Sequence, residues 1–382
     1  MDKKIKVVVL YRVLQGWRVP IFERLNNLED IELNVIHGKS FEGTKVVNYE
    51  GRTKFKHTEL PTFKVNLPTR NGRAIMPFNF TVFLELIKFK PDVIICEGAS
   101  NLFNNIFAYL YKVIFRKKMI WWSLGEIKNR KKSNLRKVLD FPITFLERRM
   151  DAIISYSSIG AKYFYRLGIK KEKVFIAVNV IDTDFKQSQI SVYNTEEIYS
   201  NSHIESDFNI LFVGAITKEK RLDILLKAFQ RFEKSNERAT LTIVGGGSYL
   251  DEVKTLSLEL EIKNISFKGQ VIEGVSELFL GADIFVLPGL GGLAISDALT
   301  HGLPVIASIA DGCEKDLLGS GAGIIVENMT EDLLYSHLNE LHNSPEKLKK
   351  MKEEAVNVIK NRYNITTYVQ RIKESIDFVL LL

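Results

Sequence analysis

The chain alternates short apolar runs rich in β-branched residues with amphipathic stretches, and this alternation limits its fold more than any other feature. A strand buried on both faces has a continuous apolar sequence, and a helix usually connects it to the next parallel strand. The pattern therefore predicts parallel sheets covered by helices on both faces, the α/β doubly wound class. In such sheets, ligands bind at the carboxyl ends of the strands. In the first half of the chain the runs are Ile5–Leu10, Ile31–Ile36, Asp92–Cys96, Lys118–Trp122, Ala152–Tyr156 and Lys173–Ala177.

A polar segment divides this alternation into two parts. Residues 182–207 are rich in Ser and Asn and lack apolar periodicity, which is typical of a domain boundary. At 382 residues, the chain is long enough for two domains, each with its own core. We predict a first Rossmann-like domain over residues 1–190, a linker over 191–207 and a second Rossmann-like domain over 208–365. Residues 366–382 are predicted to form a helix that can pack back on the first domain.

The most informative single stretch is residues 284–305, IFVLPGLGGLAISDALTHGLPV. It predicts a buried strand, a loop through Gly289, Gly291 and Gly292, a short helix and a second strand from Pro304. Glycines before a helix leave its first backbone amides uncovered, so an anion can bind them at the positive end of the helix dipole. We therefore predict a phosphate site here. The glycines alone favour an ordinary strand-to-helix turn, and the phosphate interpretation depends on the rest of the chain.

A second candidate phosphate contact opens the second domain. The strand Asn209–Gly214 leads to an amphipathic helix, and Lys220 lies just before or at its start, where its ammonium can reach a phosphate at the end of the strand. The alternative is a solvated lysine, since Lys218 is only two residues away. The stretch Leu241–Val253 repeats the order of strand, glycines and helix, with Ser248 as a predicted helix N-cap.

The loop after the first strand, YRVLQGWRVPIFERL, has one glycine, Gly16, where a dinucleotide-binding turn needs three at fixed spacing. A tightly held NAD is therefore not expected. Gln15 and Arg18, together with Arg12 and Trp17, are predicted to line a cleft edge and to grip an anionic or sugar-bearing ligand. A surface loop with Trp17 packed under it is equally well supported.

Charge is unevenly distributed along the chain. Residues 1–190 hold 34 Lys and Arg against 18 Asp and Glu, so the remainder is acidic although the whole chain carries a formal net charge of +7. A basic half next to an acidic half is expected when one half faces an anionic partner. Residues 112–137 hold ten Lys or Arg around Phe115, Trp121 and Trp122. We assign these aromatic residues to the core, which favours a membrane-surface or acceptor-facing role for the flanking charges over nucleic-acid binding.

Other features bound the cellular setting. Cys96 and Cys313 are far apart and have no clustered histidines, so neither a disulfide framework nor a zinc site is predicted, and a reducing compartment fits. The first residues read as a strand without a secretory signal. The longest apolar segment, Leu102–Phe115, contains two Asn and a Lys and is too short to span a bilayer. The sequence therefore predicts a soluble or peripheral protein.

The ordered set of short motifs resembles the retaining GT-B glycosyltransferases of family 4, also called group 1. The resemblance covers nearly the whole chain and is densest from Asn209 to Ser308, through FVG and LDILLKAF, IVGGGSYLDEV, FKGQV, ELFLGADIFVLPG and DALTHGLPVIAS. In the first half, YSSIGAKYFYRLGIKKEKVFIAVNVIDTDF resembles members that act on surface polysaccharides. The resemblance implies a GT-B fold, two Rossmann-like domains facing a central cleft, and a phosphate-gripping role for Lys220. The implied donor-binding positions are Gly214, Lys220, Gln270, Val271, Gly289, Gly291, Gly292, Leu293 and Asp297, and Lys220 and Asp297 are also the candidate catalytic residues.

Several positions depart from the pattern of that family. Ala215 stands where an arginine usually follows the FVG glycine. Gly289 and Asp297 stand where two glutamates eight residues apart usually contact the donor sugar and the ribose. Asp297 can still accept two hydroxyl hydrogen bonds, whereas Gly289 cannot replace a carboxylate. Leu124 stands roughly where a histidine is common, with Glu126 nearby as a titratable group. The predicted acceptor-side residues are thus Gln15, Gly16, Arg18 and Glu126.

The resemblance implies a retaining hexosyltransferase that uses a UDP- or GDP-linked sugar as donor, without a metal or other cofactor. Its expected acceptor is a saccharide, in particular a lipid-diphosphate-linked one of bacterial surface polysaccharide synthesis. Such an enzyme is expected in the cytoplasm, peripheral on the inner face of the membrane through its basic first domain. Two alternatives stay open: a nucleotide-sugar epimerase of the same fold, which needs acid and base groups for proton abstraction, and a non-catalytic GT-B partner protein. The base, sugar, linkage and oligomeric state are not predicted.

Overall fold

The computed structural model describes residues 4–41, 47–69, 72–125, 134–271 and 274–382. These residues form two compact units, one of residues 1–178 with 366–382 and the other of residues 179–365. The first unit thus ends at residue 178, whereas the predicted first domain extended to residue 190. The polar segment is mostly helical within this second unit, because Asp182 and Asn194 cap two short helices with their side chains.

The first unit has a sheet of seven strands that pair in parallel in the order β3-β2-β1-β6-β7-β8-β9, and a separate antiparallel hairpin, β4 with β5. All six apolar runs predicted as strands form this sheet, whereas β3 and the hairpin were not predicted. The sequence of β3, KHTE, is polar because this edge strand is largely exposed. The strands are β1 (Ile5–Tyr11), β2 (Ile31–His37), β3 (Lys56–Glu59), β4 (Phe63–Thr69), β5 (Gly72–Phe78), β6 (Val93–Glu97), β7 (Lys118–Ser123), β8 (Ala152–Ser155) and β9 (Val174–Ile176).

Helices cover the first sheet, and individual residues mark where they begin and end. For example, Arg116 ends one helix at a φ of 52°, and the Ser157 hydroxyl caps another by accepting from the Gly160 amide. Trp121 and Trp122 are buried as expected, but Phe115 is 45% exposed, so its predicted assignment to the core is wrong. The helices are α1 (Val19–Asn26), α2 (Val82–Phe89), α3 (Leu102–Phe115), α4 (Asn134–Arg149) and α5 (Ser158–Arg166). The unit also includes α15 (Ile365–Leu381) from its second residue onward.

The second unit has six parallel strands in the order β12-β11-β10-β13-β14-β15. This is the doubly wound order in which the winding direction reverses between the first and fourth strands, here β10 and β13. The strands are β10 (Phe208–Val213), β11 (Ala239–Val244), β12 (Ile265–Gly269), β13 (Ile284–Leu287), β14 (Val305–Ser308) and β15 (Gly323–Val326).

The helices of the second unit bury apolar faces on this sheet. In the helix after β10, Leu222, Leu225, Phe229 and Phe232 are fully buried at helical spacing. The prediction that Ser248 is an N-cap is wrong. The helix after β11 begins at Leu250, and Tyr249 occupies the N-cap position. The helices are α6 (Thr183–Ile190), α7 (Thr195–Ser202), α8 (Leu222–Ser235), α9 (Leu250–Glu259), α10 (Val275–Leu280), α11 (Leu293–Thr300), α12 (Cys313–Leu318), α13 (Glu331–His342) and α14 (Pro345–Asn361).

Within the described residues, no helix has both the length and the apolar content that crossing a bilayer requires.

Candidate functional site

The candidate donor site lies where the loops after β10 and β13 meet, at the switch point of the second sheet. Ile210 of β10 pairs directly with Ile284 of β13, so the loops that follow these strands leave the same edge of the sheet side by side. The loop after β10 carries Gly214 and Lys220, and the loop after β13 carries the glycines from Gly289 onward. A crevice at such a reversal is the usual ligand position in doubly wound folds.

Gly289 is required by the close approach of these two loops. A β-carbon at this position would lie 2.1 Å from the Glu219 carbonyl oxygen and 2.7 Å from the α-carbon of Lys220. The Leu290 amide donates to the Glu219 carbonyl at 2.9 Å, and the Lys220 ammonium donates to the Leu290 carbonyl. A glutamate at position 289 would therefore collide with the neighbouring backbone of this chain.

Lys220 is half-buried beside the glycine loop, unlike the exposed Lys218. A β-carbon on Gly291 would lie 2.8 Å from Lys220 Nζ, so the ammonium lies directly over this part of the loop. Burial lowers the pKa of Lys220, and the charge of Asp311 opposes that shift. Of the three N–H groups of the ammonium, one is used by Leu290, and the others can meet an anion.

The first turn of α11 supplies backbone donors to the same place. Gly292 is the N-cap of α11 and gives no side-chain cap. No hydrogen bond among the described residues occupies the amides of Gly291, Gly292 and Leu293. These amides lie at the positive end of the helix, and with Lys220 they form a seat suited to a phosphate.

Asp311 borders this seat, and sequence reasoning did not find it. A β-carbon on Gly292 would lie 2.3 Å from Asp311 Oδ2, while Asp311 Oδ1 accepts from the Cys313 thiol at 2.8 Å. Burial raises the pKa of Asp311, although hydrogen bonds from Cys313 and the Lys220 charge oppose the shift. The Asp-Gly turn before Cys313 was the available signal, but only the folded chain brings this loop to Gly292.

Asp311, Cys313 and Glu314 could in principle hold a metal ion, since one potential ligand atom of each lies within 4.8 Å of the others. Their present contacts use these atoms differently. Glu314 accepts from the amides of Ala310 and Gly312, at 3.1 and 2.8 Å, and burial raises its pKa to about 7. Burial also raises the pKa of the Cys313 thiol, which disfavours the thiolate that a metal requires. The three groups thus stabilise the turn before α12.

Asp297 lies one turn into α11, and one of its carboxylate oxygens has no hydrogen-bond partner among the described residues. This atom, Oδ1, is buried and lies 3.5 Å from His301 Nδ1, which instead bonds the Asp297 backbone carbonyl at 2.8 Å. Burial raises the pKa of Asp297, and the charge of Lys186 opposes the shift. Burial lowers the pKa of His301 to about 4, so its ring is neutral at pH 7 and stacks on Phe279 with centroids 4.7 Å apart. Asp297 is therefore available to accept hydrogen bonds from a ligand.

The loop after β11 supports the loop after β10 from the other side. A β-carbon on Gly245 would lie 1.9 Å from the Gly214 carbonyl oxygen, and one on Gly247 would lie 2.1 Å from that of Ile216. The predicted donor residue Gln270 places its side chain next to Gly246. Its neighbour Val271 follows β12 and is half-buried. The glycines after β11 therefore serve close backbone packing that positions Gly214.

The residues predicted to lie on the acceptor side differ in their exposure in the first unit. Gln15 is half-buried and Gly16 exposed in the loop at the carboxyl end of β1, where a ligand can reach them. Trp17 is 37% exposed, so it does not pack under the loop. Leu124 is half-buried just after β7, and Glu126 lies outside the described residues.

Arg18 is only 1% exposed, which contradicts its predicted acceptor-side role. Its guanidinium carbon lies 4.1 Å from the Trp17 ring centroid and 4.5 Å from that of Trp122. The guanidinium donates to the hydroxyls of Tyr11 at 3.2 Å and Tyr368 at 2.6 Å. The physical reason is that this cluster of rings attracts the cation and that two of its N–H donors bond tyrosine hydroxyls, so Arg18 holds the first unit together.

Comparisons with known proteins agree with this geometry. Residues 194–358 match the family model described as Glycosyl transferases group 1. The chain is 27% identical over 164 residues to the alpha-monoglucosyldiacylglycerol synthase of Streptococcus pneumoniae, covering 41% of this chain and 37% of that relative. It is 24% identical over 148 residues to the GDP-mannose-dependent alpha-(1-6)-phosphatidylinositol monomannoside mannosyltransferase of Mycolicibacterium smegmatis, covering 36% and 39%. The chain thus spans well under half the length of these two relatives.

Solved structures show the same fold over nearly the entire chain. Anabaena HepE in complex with UDP aligns with a TM-score of 0.73 at 16% identity, covering 98% of this chain and 100% of that one. A glycosyltransferase from Rickettsia africae aligns with a TM-score of 0.74 at 15% identity, covering 99% of both. The two parallel sheets and these alignments give the chain the GT-B fold. Over residues 194–358, within the second unit, the chain is similar to the glycosyl transferases group 1.

Proposed function

We propose that the chain transfers a hexosyl residue from a UDP- or GDP-linked sugar to a lipid-diphosphate-linked saccharide, with retention of configuration, in the synthesis of a bacterial surface polysaccharide. Two curated relatives support a lipid-linked acceptor, because their names include diacylglycerol and phosphatidylinositol. The enzyme would act in the cytoplasm, peripheral on the inner face of the membrane. The net charge of +16 that residues 1–190 carry supports an anionic surface or acceptor on that side.

The observation that carries this proposal is the seat formed by Lys220 and the free amides of Gly291, Gly292 and Leu293. Its donors suit the two linked phosphates of a nucleotide sugar. Backbone amides at a helix start need no reorganisation when negative charge develops on the leaving diphosphate, so they stabilise the transition state more than the ground state. The protein itself therefore supplies the positive potential that the leaving group needs.

Asp297 would bind the ribose of the donor. Its unpartnered Oδ1 atom can accept a hydroxyl hydrogen bond, and the second oxygen can accept another. The neutral His301 ring behind it does not neutralise the carboxylate. Gln270, on the loop after β12, would lie toward the nucleotide side, next to Gly246.

The proposed transfer follows from these positions. The bond from the anomeric carbon to the phosphate oxygen breaks while the acceptor oxygen forms its bond on the same face of the sugar. The departing phosphate oxygen takes the proton of the acceptor hydroxyl, so no side-chain base is required. Lys220 and the loop amides hold the leaving diphosphate, and their contribution is charge stabilisation and alignment. Gly289 supplies no carboxylate at its own position, so this chain would orient the sugar through other contacts.

The test is to incubate purified protein with radiolabelled UDP- and GDP-sugars and a membrane lipid extract. Label that moves into lipid, with the anomeric configuration of the donor, supports the proposal. Isomerised free donor would indicate an epimerase, and donor binding without either product would indicate a non-catalytic partner protein. Lys220→Ala is expected to lose donor affinity, and full affinity in that variant would contradict the phosphate role of Lys220.

A further inference from the structure

Three neighbouring helices of the first unit are apolar on the outer side as well as on the inner side. Helices α2, α3 and α4 pack against the same core, to which they contribute Leu86, Tyr111 and Leu146 among other residues. A helix at the surface of a soluble protein normally turns a polar face outward. Here, much of the outward surface is instead aliphatic or aromatic.

The central helix α3 shows this most clearly. Its exposed apolar residues follow the spacing i, i+4, i+7 and i+8, which places them on one face. The exposed fractions rise from 37% at the first to 61% at the last. These residues are Ile106, Leu110, Val113 and Ile114.

The flanking helices extend the same face. Phe80, just before α2, is 50% exposed, and its ring centroid lies 5.7 Å from that of Phe63 at the start of β4. On the other side, Phe145 of α4 lies 6.0 Å from Tyr109 of α3, centroid to centroid. We name the whole surface the outer apolar face. Its exposed members are Phe63, Phe80, Leu84, Ile87, Ile106, Leu110, Val113, Ile114, Phe115, Phe141 and Phe145.

Basic residues border this face at one end. Each of the three helices precedes a parallel strand, β6, β7 or β8, so all three helices end at the edge of the sheet where those strands begin. The acidic residues of these helices, Glu85, Asp140 and Glu147, are buried or half-buried. Exposed basic residues collect at the helix ends, and we call them the basic rim. They are Lys88, Lys90, Arg116, Arg148 and Arg149.

We propose that the outer apolar face and the basic rim are the surface by which this chain binds an anionic lipid bilayer. Apolar side chains would enter the boundary between head groups and acyl chains, and the rim would contact the negative head groups. This inference rests on the proposed function, since a lipid-linked acceptor must be met at a membrane. It adds the residues that make the contact.

Charge complementarity selects this occupant over a second copy of the chain. The face combines exposed apolar residues with a rim of one sign. Lys88 of the rim pairs with Glu85 in its own helix, 2.7 Å apart, and the described residues of the three helices expose no acidic side chain for the other rim cations. Two such faces packed together would leave these cations without counter-charge. An anionic bilayer provides both acyl chains for the apolar side chains and negative head groups for the basic rim.

The test is flotation of the full chain with vesicles of phosphatidylcholine and phosphatidylglycerol. We expect the wild type to float at low salt, and less so at high salt. The double variant Leu110→Glu with Ile114→Glu should bind about tenfold more weakly or worse. The matched control is Leu258→Glu, because Leu258 is 79% exposed on α9 of the second unit and should not contact the vesicle.

Three outcomes would overturn the inference: no flotation of the wild type, equal flotation of the double variant, or a dimer in light scattering that the double variant breaks up. Donor binding is measured in parallel without vesicles. If the double variant keeps donor affinity but loses flotation, the surface assignment stands independently of chemistry. If flotation behaves as expected and no sugar is transferred to lipid, the proposed function fails instead.

Discussion

The Asp311 carboxylate lies against Gly292, the first residue of the α11 cap, so an acidic side chain borders the free amides of the candidate phosphate seat. A β-carbon on Gly292 would come within 2.3 Å of Asp311 Oδ2. An anion there competes electrostatically with a bound diphosphate. The affinity of this seat for a diphosphate is therefore expected to depend on the protonation state of Asp311.

The first prediction concerns pH and Asp311. Burial raises the pKa of this carboxyl, so it becomes charged only as the pH rises through that raised value. Donor affinity should fall over the same range, because the new charge repels phosphate. Asp311→Asn should remove this pH dependence. At pH values above the pKa of Asp311, this variant should bind UDP about threefold to tenfold more tightly than wild type, as measured by calorimetry. Asp332→Asn removes one exposed charge of the same sign elsewhere and should leave affinity unchanged. Weaker binding by Asp311→Asn would show that Asp311 orders the seat.

The second prediction compares two lysines in one turn. Lys220 is half-buried over the glycine loop, whereas Lys218 is exposed. Lys220→Met should weaken UDP binding by about tenfold to a hundredfold, since it removes a charge-assisted contact to phosphate. Lys218→Met keeps the same net charge as that variant and should bind within about twofold of wild type. An equal loss of UDP affinity in both variants would mean that only the total positive charge of the loop matters, without a specific contact from Lys220.

The third prediction concerns the glycine that replaces a family glutamate. Gly289→Ala should lower the free energy of unfolding by about 1–3 kcal/mol, because the added methyl meets the Glu219 carbonyl. It should also weaken donor binding by displacing Lys220. Leu290→Ala in the same loop removes a 48% exposed side chain and serves as the control. Gly289→Glu restores the residue type of the resembled family, and a gain of transfer activity in that variant would refute the steric account.

The sequence predicted what is periodic or local, and it missed what depends on distant chain segments meeting. Alternating apolar runs were sufficient to predict both sheets. The glycines before α11 were sufficient to predict a helix start whose amides are not covered by side chains. The burial of Arg18 depends on Tyr368, which lies 350 residues away. The contact of Asp311 with Gly292 likewise depends on the strand order. No spacing rule reports such pairs, since charge and polarity alone suggest exposure.

The fourth prediction concerns an ion pair in the second unit. His203 Nε2 lies 2.8 Å from Asp283 Oδ2, and this hydrogen bond raises the pKa of His203. A raised pKa in the folded state contributes stability that is present at low pH and is lost as the pH rises through the folded value. Thermal unfolding should therefore show a melting temperature that falls by about 2 °C across that range. His203→Gln should flatten this slope, whereas His337→Gln, at a more exposed pair on α13, should keep it.

Acid should act on the same pair through its other member. The partners of Asp283, including His203 and Lys352, outweigh its burial and lower its pKa. Its contribution to stability is present above the unfolded pKa and is lost as the pH falls through the folded one. Asp283→Asn should therefore reduce the acid sensitivity of unfolding, and an unchanged acid limb would contradict this assignment.

The last prediction concerns Arg18, whose guanidinium is surrounded by aromatic rings and donates to Tyr11 and Tyr368. Tyr368 lies on α15, so this cation connects the chain's last helix to the first sheet. Arg18→Met should lower the free energy of unfolding by about 2–4 kcal/mol, because it removes the cation–ring contacts and leaves two buried hydroxyls without their donor. Tyr368→Phe should cost about 1 kcal/mol, since it removes one hydrogen bond and keeps the ring. Arg148→Met, at an exposed arginine of α4, should be neutral in urea unfolding. If Arg18→Met unfolds like wild type but fails to bind acceptor, Arg18 acts on ligand after all, and its burial among the rings would have to open during the reaction.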